Sequence, residues 1–296
     1  MQYGIDLLPA GRTLGIVGAG VMGRALVKGL LGAGAGGAKV ERRQVWASTK
    51  TEESAREVEA ELGISVSRDY RAEVPAAGLL ILAVKPNQVA NVVAYLRAAG
   101  LREDALVISV LAGVSTARLE ALLGQANPVV RAMPNTPCLV GQGVTVYCAG
   151  RAAGPDHLAQ AGAVFASVGR ALEVEEHYFN AITALSGSGP AYMYLVMEAL
   201  ADAGVRVGLP RDLALELVAQ TMLGSARMVQ ESGRHPAALR DDVTTPAGCT
   251  IGGLLMLEDG KIRSVLARAV EEATRIVATL GAPAEAAANV PSEPKA

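Results

Sequence analysis

Apolar and polar positions switch between two rhythms along this chain, short apolar runs separated by helical segments up to about residue 176 and helical spacing alone after it. Residues 13–18 (TLGIVG) predict a short buried strand, and GAGVMGRALVKGLLGAG turns directly from it into a helix. RQVWAS (43–48) predicts a second strand. TEESAREVEAELG (51–63) predicts an amphipathic helix with acids in its first turn, where the helix dipole favours them. GLLILAVKP (78–86) is apolar without interruption, as in a strand covered on both faces, and Pro86 stops it. A helix (87–100), a strand (105–113) and a helix (114–124) follow, then strand patterns in PVVRAMPN, GVTVYCAG and GRALEVEE (169–176). Such alternation predicts an α/β fold, a parallel sheet with helices on both faces.

Beyond His177 the segments 177–204, 210–232 and 261–280 have helical period and no strand signal. The expected domains are 1–175, 176–281 as an all-helical domain, and a tail over 282–296 whose Ala, Pro and polar content predicts disorder. Residues 32–39 (GAGAGGAK) predict a flexible loop. AITALSGSGPAYMYLVMEALADAG (181–204) has few charges on any face. A helix apolar all round must be buried on all sides, which points to helix packing between two subunits.

Composition narrows the classes. Apolar residues make up 51% of 296 but aromatics only 3%, so aliphatic side chains must fill the core. A net charge of −2 and the lack of a basic arm argue against nucleic acid. Three cysteines (Cys138, Cys148, Cys249) without CxxC spacing argue against a disulfide framework or a zinc site, and no metal is expected. The N-terminal residues show no secretory pattern, and the apolar runs are too short to span a bilayer. A cytoplasmic protein without a membrane anchor is expected.

Gly18-Ala19-Gly20-Val21-Met22-Gly23 is a G-x-G-x-x-G placed between a strand and a helix, the context of a Rossmann-type dinucleotide site. At the end of the second strand, where NAD sites usually carry an acid against the ribose, stand Ser48, Thr49 and Lys50. Two hydroxyls and a cation suit the 2′-phosphate of NADPH; a cap on the next helix is the other reading, and the two can coexist. Lys85, before Pro86 at the sheet's carboxyl edge, is read as a cofactor contact ahead of a catalytic acid or a plain surface charge. Ser186 to Pro190 (SGSGP) interrupts a helical pattern, either to approach the nicotinamide or to permit close helix packing.

A small-residue turn runs into an apolar helical pattern in DDVTTPAGCTIGGLLMLE (241–258). The turn Thr244 to Thr250 leaves backbone N–H groups at a helix start, where an anion can sit. Thr250 adds a hydroxyl that can donate to a substrate nitrogen or cap the helix. Cys249 reads as packing rather than nucleophile, and His157, His177 and His235 as surface or capping residues.

GIVGAGVMG, LAVKPN, SVLAGV, VVRAMPNTP, ALSGSGPAY and DDVTTPAGCTIGGL together resemble the pyrroline-5-carboxylate reductase family over residues 13–281. The resemblance implies an N-terminal Rossmann-type domain, a C-terminal helical dimerisation domain, and dimers that can assemble into rings. It implies reduction of a cyclic imine carboxylate, 1-pyrroline-5-carboxylate, to L-proline by NADPH or NADH. Implied cofactor positions are Gly18, Ala19, Gly20, Val21, Met22, Gly23, Ser48, Lys50, Val84, Lys85, Ala112 and Asp242. Implied substrate positions are Glu176, Cys249 and Thr250, with the turn Thr245 to Gly248 around them. Two positions depart from the pattern: Tyr70 stands where relatives often carry Asn against the cofactor, and Asp242 where some carry Asn. Two rivals differ in kind. A hydroxyacid dehydrogenase of this architecture would place a Lys on the helix after the boundary, and ITALSGSGPAYMYLVMEAL has none; a dinucleotide sensor would not need the turn at 244–250.

Overall fold

The computed structural model describes residues 7–32, 40–124 and 126–280. The expected loop at 32–39 and the expected tail at 282–296 therefore lie almost wholly outside the described residues.

Eight strands form one sheet: β1 (Thr13–Val17), β2 (Val45–Ser48), β3 (Ser65–Ser67), β4 (Ala77–Leu82), β5 (Leu106–Ser109), β6 (Val129–Met133), β7 (Gly143–Ala149) and β8 (Gly169–Glu173). Their order is β3-β2-β1-β4-β5-β6-β7-β8. Strands β3 to β6 are parallel, while β7 runs antiparallel to β6 and β8 parallel to β7. The expectation of a parallel sheet is corrected at β6–β7. The connection, which holds a 3-10 turn at Thr136–Val140, is too short for a crossover helix, so the chain must double back. Strand β3, three residues at the sheet's edge, escaped the sequence reading.

Five helices flank the sheet: α1 (Val21–Leu31), α2 (Glu52–Leu62), α3 (Val89–Ala98), α4 (Thr116–Leu123) and α5 (Pro155–Ala166). Successive strand residues face opposite ways, as the pleat requires. Leu14, Ile16, Leu79, Ile81, Leu106 and Ile108 pack with α1, α2 and α5 on one face. Val17, Leu80, Leu82 and Val107 pack with Val89, Val93, Leu96 and Leu119 of α3 and α4 on the other. The apolar runs of the sequence are thus strands buried on both faces.

The segment 177–204 is not one helix. A 3-10 turn (Glu176–Tyr178) leads into α6 (Phe179–Ile182) and a π-helical turn (Thr183–Gly187) before α7 (Gly189–Arg206). Thr183 and Ser186 hydroxyls donate to the carbonyls of Phe179 and Ile182. Asn135 donates to the Ser186 carbonyl at 3.1 Å and accepts from Val144 N at 3.0 Å. The described residues divide into two compact units, those up to 187 with 273–280, and those from 188 to 272. This division falls later than the expected boundary at 175/176. Phe179 packs with Val146 and Cys148, and Glu176 bonds to residues of the sheet domain.

The second unit holds α7, α8 (Arg211–Ser232), α9 (Pro236–Asp242), α10 (Cys249–Asp259) and the first turns of α11 (Ile262–Leu280), whose last turns belong to the first unit.

Candidate active site

The dinucleotide turn is built at the carboxyl ends of β1, β2 and β4. Gly18 takes φ +103°, and a Cβ there would lie 2.7 Å from the Ala83 carbonyl oxygen; one at Gly23 would lie 2.5 Å from the Gly18 oxygen. Both positions need glycine because backbone approaches backbone. Nothing lies within 4 Å of a Cβ placed at Gly20, so the turn is open on that side. Gly20 caps α1 without a side-chain bond, and the first turn holds no acid. The free N–H groups and the positive end of the helix dipole therefore face open space, as a pyrophosphate requires.

Ser48 pins this turn to β2. Its hydroxyl oxygen accepts from Gly18 N at 3.2 Å, and its carbonyl accepts from Ala19 N at 2.8 Å. The cap on α2 comes from Thr51, which accepts from Ser54 N at 3.1 Å. Neither Ser48 nor Thr49 is the cap. A cavity of about 450 Å³ brings Gly18, Ala19, Gly20, Ser48, Thr49, Lys50, Val84 and Lys85 together. Lys85 is exposed and opens a 3-10 turn at Pro86–Gln88. Val21 is exposed at the head of α1, and Met22 packs against the core. Ala112, half-buried in the turn after β5, is not on this cavity's wall.

Among the wall residues outside the expected cofactor set, Arg24 and Tyr70 stand out. Arg24 sits one helical turn beyond Gly20, donates from Nε to the Ala19 carbonyl at 3.2 Å, and pairs with Glu61 at 2.9 Å. Its i+4 spacing was the available signal. Tyr70, the departure from the family pattern, is buried with its ring 5.5 Å from Trp46 and 4.6 Å from Tyr95. Burial pushes its phenol up to about 12, so it stays protonated and presents a ring where an amide was the pattern.

Glu176 has partners of its own. Its carboxylate accepts from Thr116 N at 2.8 Å and Thr116 Oγ1 at 2.6 Å, and pairs with Arg131 at 3.0 Å. Burial opposes its ionisation, but the Thr116 and Arg131 hydrogen bonds outweigh it and hold the carboxyl below its usual range. The acid thus sits at the N-terminus of α4 and neutralises a buried arginine whose guanidinium also lies 4.4 Å from the Phe179 ring. Its three donors all belong to the first unit, which makes it a brace for the turn carrying Ala112. A charge inside the apolar strand VVRAM signalled a required partner, but not one 45 residues away.

In the second unit, Gly248 N donates to the Thr245 carbonyl at 3.1 Å, and Ala247 takes φ +55°. Gly248 is the N-cap of α10, with no side-chain cap and no acid in the first turn. Thr250 is therefore the second helical residue rather than the cap. Cys249 is exposed, whereas Cys138 and Cys148 are buried, and burial raises both thiols, Cys148 to about 12. Asp242, expected at the cofactor, pairs with Arg234 at 2.5 Å at the exposed end of α9. His157 and His235 accept from the backbone N–H groups of Gly154 and Ala237, as capping residues do.

A family model described as pyrroline-5-carboxylate reductase dimerisation matches residues 176–280, and one described as NADP oxidoreductase coenzyme F420-dependent matches residues 13–113. Pyrroline-5-carboxylate reductase of Pisum sativum is 41% identical over 92% of this chain and 97% of its own length. The Synechocystis protein of the same name is 45% identical over 74% of this chain and 80% of its own length. Among solved structures, the Plasmodium falciparum pyrroline carboxylate reductase with NADP bound superposes with a TM-score of 0.81 at 31% identity, covering 92% of this chain and 98% of that one. The Coxiella burnetii pyrroline-5-carboxylate reductase gives 0.83 at 34%, covering 92% and 100%. With near end-to-end coverage at these identities, the chain belongs to the pyrroline-5-carboxylate reductase family.

Proposed function

We propose that the chain reduces 1-pyrroline-5-carboxylate to L-proline with a hydride from NADPH, or from NADH. The observation that carries this reading is the turn into α10: an uncapped helix start without acids, followed at once by a threonine. It suits a substrate that combines a carboxylate with a basic imine nitrogen.

The N–H groups of Cys249 and Thr250 hold the carboxylate, helped by the positive end of the helix dipole; the Gly248 N–H, expected to join them, is taken by the Thr245 carbonyl. The Thr250 hydroxyl hydrogen-bonds the imine nitrogen, its oxygen accepting from the N–H of the protonated imine. The imine carbon gains the hydride, the C=N bond becomes a single bond, and the nitrogen keeps the proton it brought from water. No strongly perturbed acid is needed. NADPH, when bound, supplies the hydride. The Gly18–Gly23 turn takes its pyrophosphate, and Ser48, Thr49 and Lys50 take its adenosine ribose and 2′-phosphate. Val84, Lys85 and Ala112 belong to the same sheet edge. Hydride donor and acceptor carbons must come within roughly 3–3.5 Å, so positioning carries most of the rate. Asp242, the implied cofactor position in the second unit, is held by Arg234. Glu176, held by Thr116 and Arg131, is the implied substrate position in the first unit.

A homodimer through the helical unit follows from its exposed apolar helices, which bury only Ala201 and Ala214 among the described residues. No described helix is long and apolar enough to cross a membrane. The cytoplasm is the proposed compartment.

The test is loss of nicotinamide absorbance with 1-pyrroline-5-carboxylate, beside piperideine-6-carboxylate and a 3-hydroxyacid with NADP⁺. Fast turnover of the five-membered imine supports the reading. Oxidation of the hydroxyacid alone overturns it, and cofactor binding without any turnover makes the protein a sensor.

A further inference from the structure

Beside the dinucleotide cavity lies a second one, of about 540 Å³, which shares Thr49 and Lys50 with it. It exists because β3 pairs with β2 in parallel, Ser48 beside Ser67, so the residues just after each strand emerge side by side at the carboxyl edge. Lys50 leaves β2 there, and Arg68 leaves β3. Arg68 approaches one acid, Glu52, only at 4.0 Å, and its side chain is 58% exposed. A second acid, Asp69, also lines the cavity and would oppose an anion. It is, however, fully engaged. Asp69 accepts from Arg71 Nε at 2.9 and 3.1 Å and from Arg71 N at 3.2 Å, pairs with the Arg71 Nη2, and accepts from the Tyr95 hydroxyl at 2.6 Å. Tyr95 in turn packs on Tyr70, whose ring walls the dinucleotide cavity. The Asp69 carboxyl is held well below its usual range by Arg71 and Tyr95.

We propose that Arg68, together with Lys50, binds the 2′-phosphate of NADPH, and that Arg71 serves the same preference indirectly by cancelling the charge of Asp69. This rests on the NADPH reading above. Lys50 and Arg68 offer donors from two adjacent strand ends, the arrangement a phosphate with three acceptor oxygens prefers. The paired Asp69 no longer repels it.

The experiment is calorimetric titration with 2′,5′-ADP, and with 5′-AMP as the control lacking the 2′-phosphate, on the full-length protein. Arg68→Ala is expected to weaken 2′,5′-ADP by about 5- to 10-fold and leave 5′-AMP unchanged, with a shallower salt dependence. Arg71→Met is expected to weaken 2′,5′-ADP selectively, and adding Asp69→Asn to restore most of the loss. Equal effects of Arg68→Ala on both ligands, or no effect on either, overturns the role of Arg68. A loss in Arg71→Met that Asp69→Asn does not restore overturns the screening role. Wild-type turnover of the imine is measured separately. If the imine is reduced while Arg68→Ala binds 2′,5′-ADP normally, this inference alone fails. Arg68-dependent binding without imine turnover leaves this inference standing and sinks the reaction.

Discussion

The two compact units treat their apolar residues in opposite ways. In the first, both faces of one sheet are covered by its own helices, and residues such as Ile16, Leu80 and Phe165 are completely buried. In the second, among the described residues, only Ala201 and Ala214 are buried. Leu195, Met256 and Val207 are 66%, 69% and 81% exposed, and α10 buries none of its residues. A sheet between helices satisfies itself within one chain, because each strand has two faces and the helices needed to cover them follow in sequence. Helices apolar on all sides cannot do so in a unit this small. Exposed apolar area of that extent marks an association surface. The cofactor turn therefore rests on a self-sufficient scaffold, and the α10 turn on one that another subunit must complete.

If so, a charge on the helical face should have the largest effect. Leu195→Asp is expected to dissociate the assembly: each buried Leu contributes about 1.5–3 kcal/mol, it occurs twice in a symmetric dimer, and the new carboxylate resists desolvation. Light scattering should report half the mass, and activity should fall with it. An unchanged mass would remove this face from the interface. Next comes Thr250→Ala, which loses a hydrogen bond to a charged group, about 1.5–3 kcal/mol, or about 10- to 150-fold in kcat/KM. NADPH binding should stay unaffected, and wild-type efficiency would end the role given to Thr250.

Gly23→Ala acts on the other unit. Its Cβ would meet the Gly18 oxygen at 2.5 Å, and overpacking of this kind costs about 1–3 kcal/mol, so the NADPH Kd should rise about 10- to 100-fold with the mass unchanged. A simultaneous loss of assembly would erase the distinction between the units. The smallest effect is expected from Glu176→Gln, which leaves the buried Arg131 without its charge partner and should cost about 1–2 kcal/mol, since the acid is itself part-exposed. Its folded carboxyl titrates below the ordinary 4.5, so its contribution is present above that value and disappears as pH falls through the lower folded value. The acid-side loss of thermal stability should therefore be shallower in the variant; an identical profile would mean that the clasp is not ionic.

Much of the candidate cofactor cavity was legible because its signals are local. Gly18 to Gly23 between a strand and a helix, and the Ser48–Lys50 strand end, each depend on a few consecutive residues. Partnership across distance was not legible. Glu176 carried a resemblance to substrate-binding positions, and nothing nearby in the sequence pointed to its donors, 60 and 45 residues away. Arg68 and Asp69 were passed over because β3 is too short to show a period. The antiparallel turn at β6–β7 had a readable cue, a connection too short for a crossover, and α5 was overlooked where the pattern weakened.

The sequence alone determined the alternation of strands and helices, the glycines at the first turn, and the presence of apolar helices too evenly coated to be stable singly. Those follow from periodicity, from φ restrictions and from the sign of each side chain's transfer free energy, all properties of neighbouring residues. Only the tertiary structure decided that Ser48 fastens the glycine turn, that Glu176 clasps Arg131 at the head of α4, and that Asp69 is silenced by Arg71 and Tyr95. Each of these is a pairing of charges or dipoles through space. A hydrogen bond or ion pair is specified by distances of about 3 Å, and residues far apart in sequence reach such distances only once the sheet order has been set.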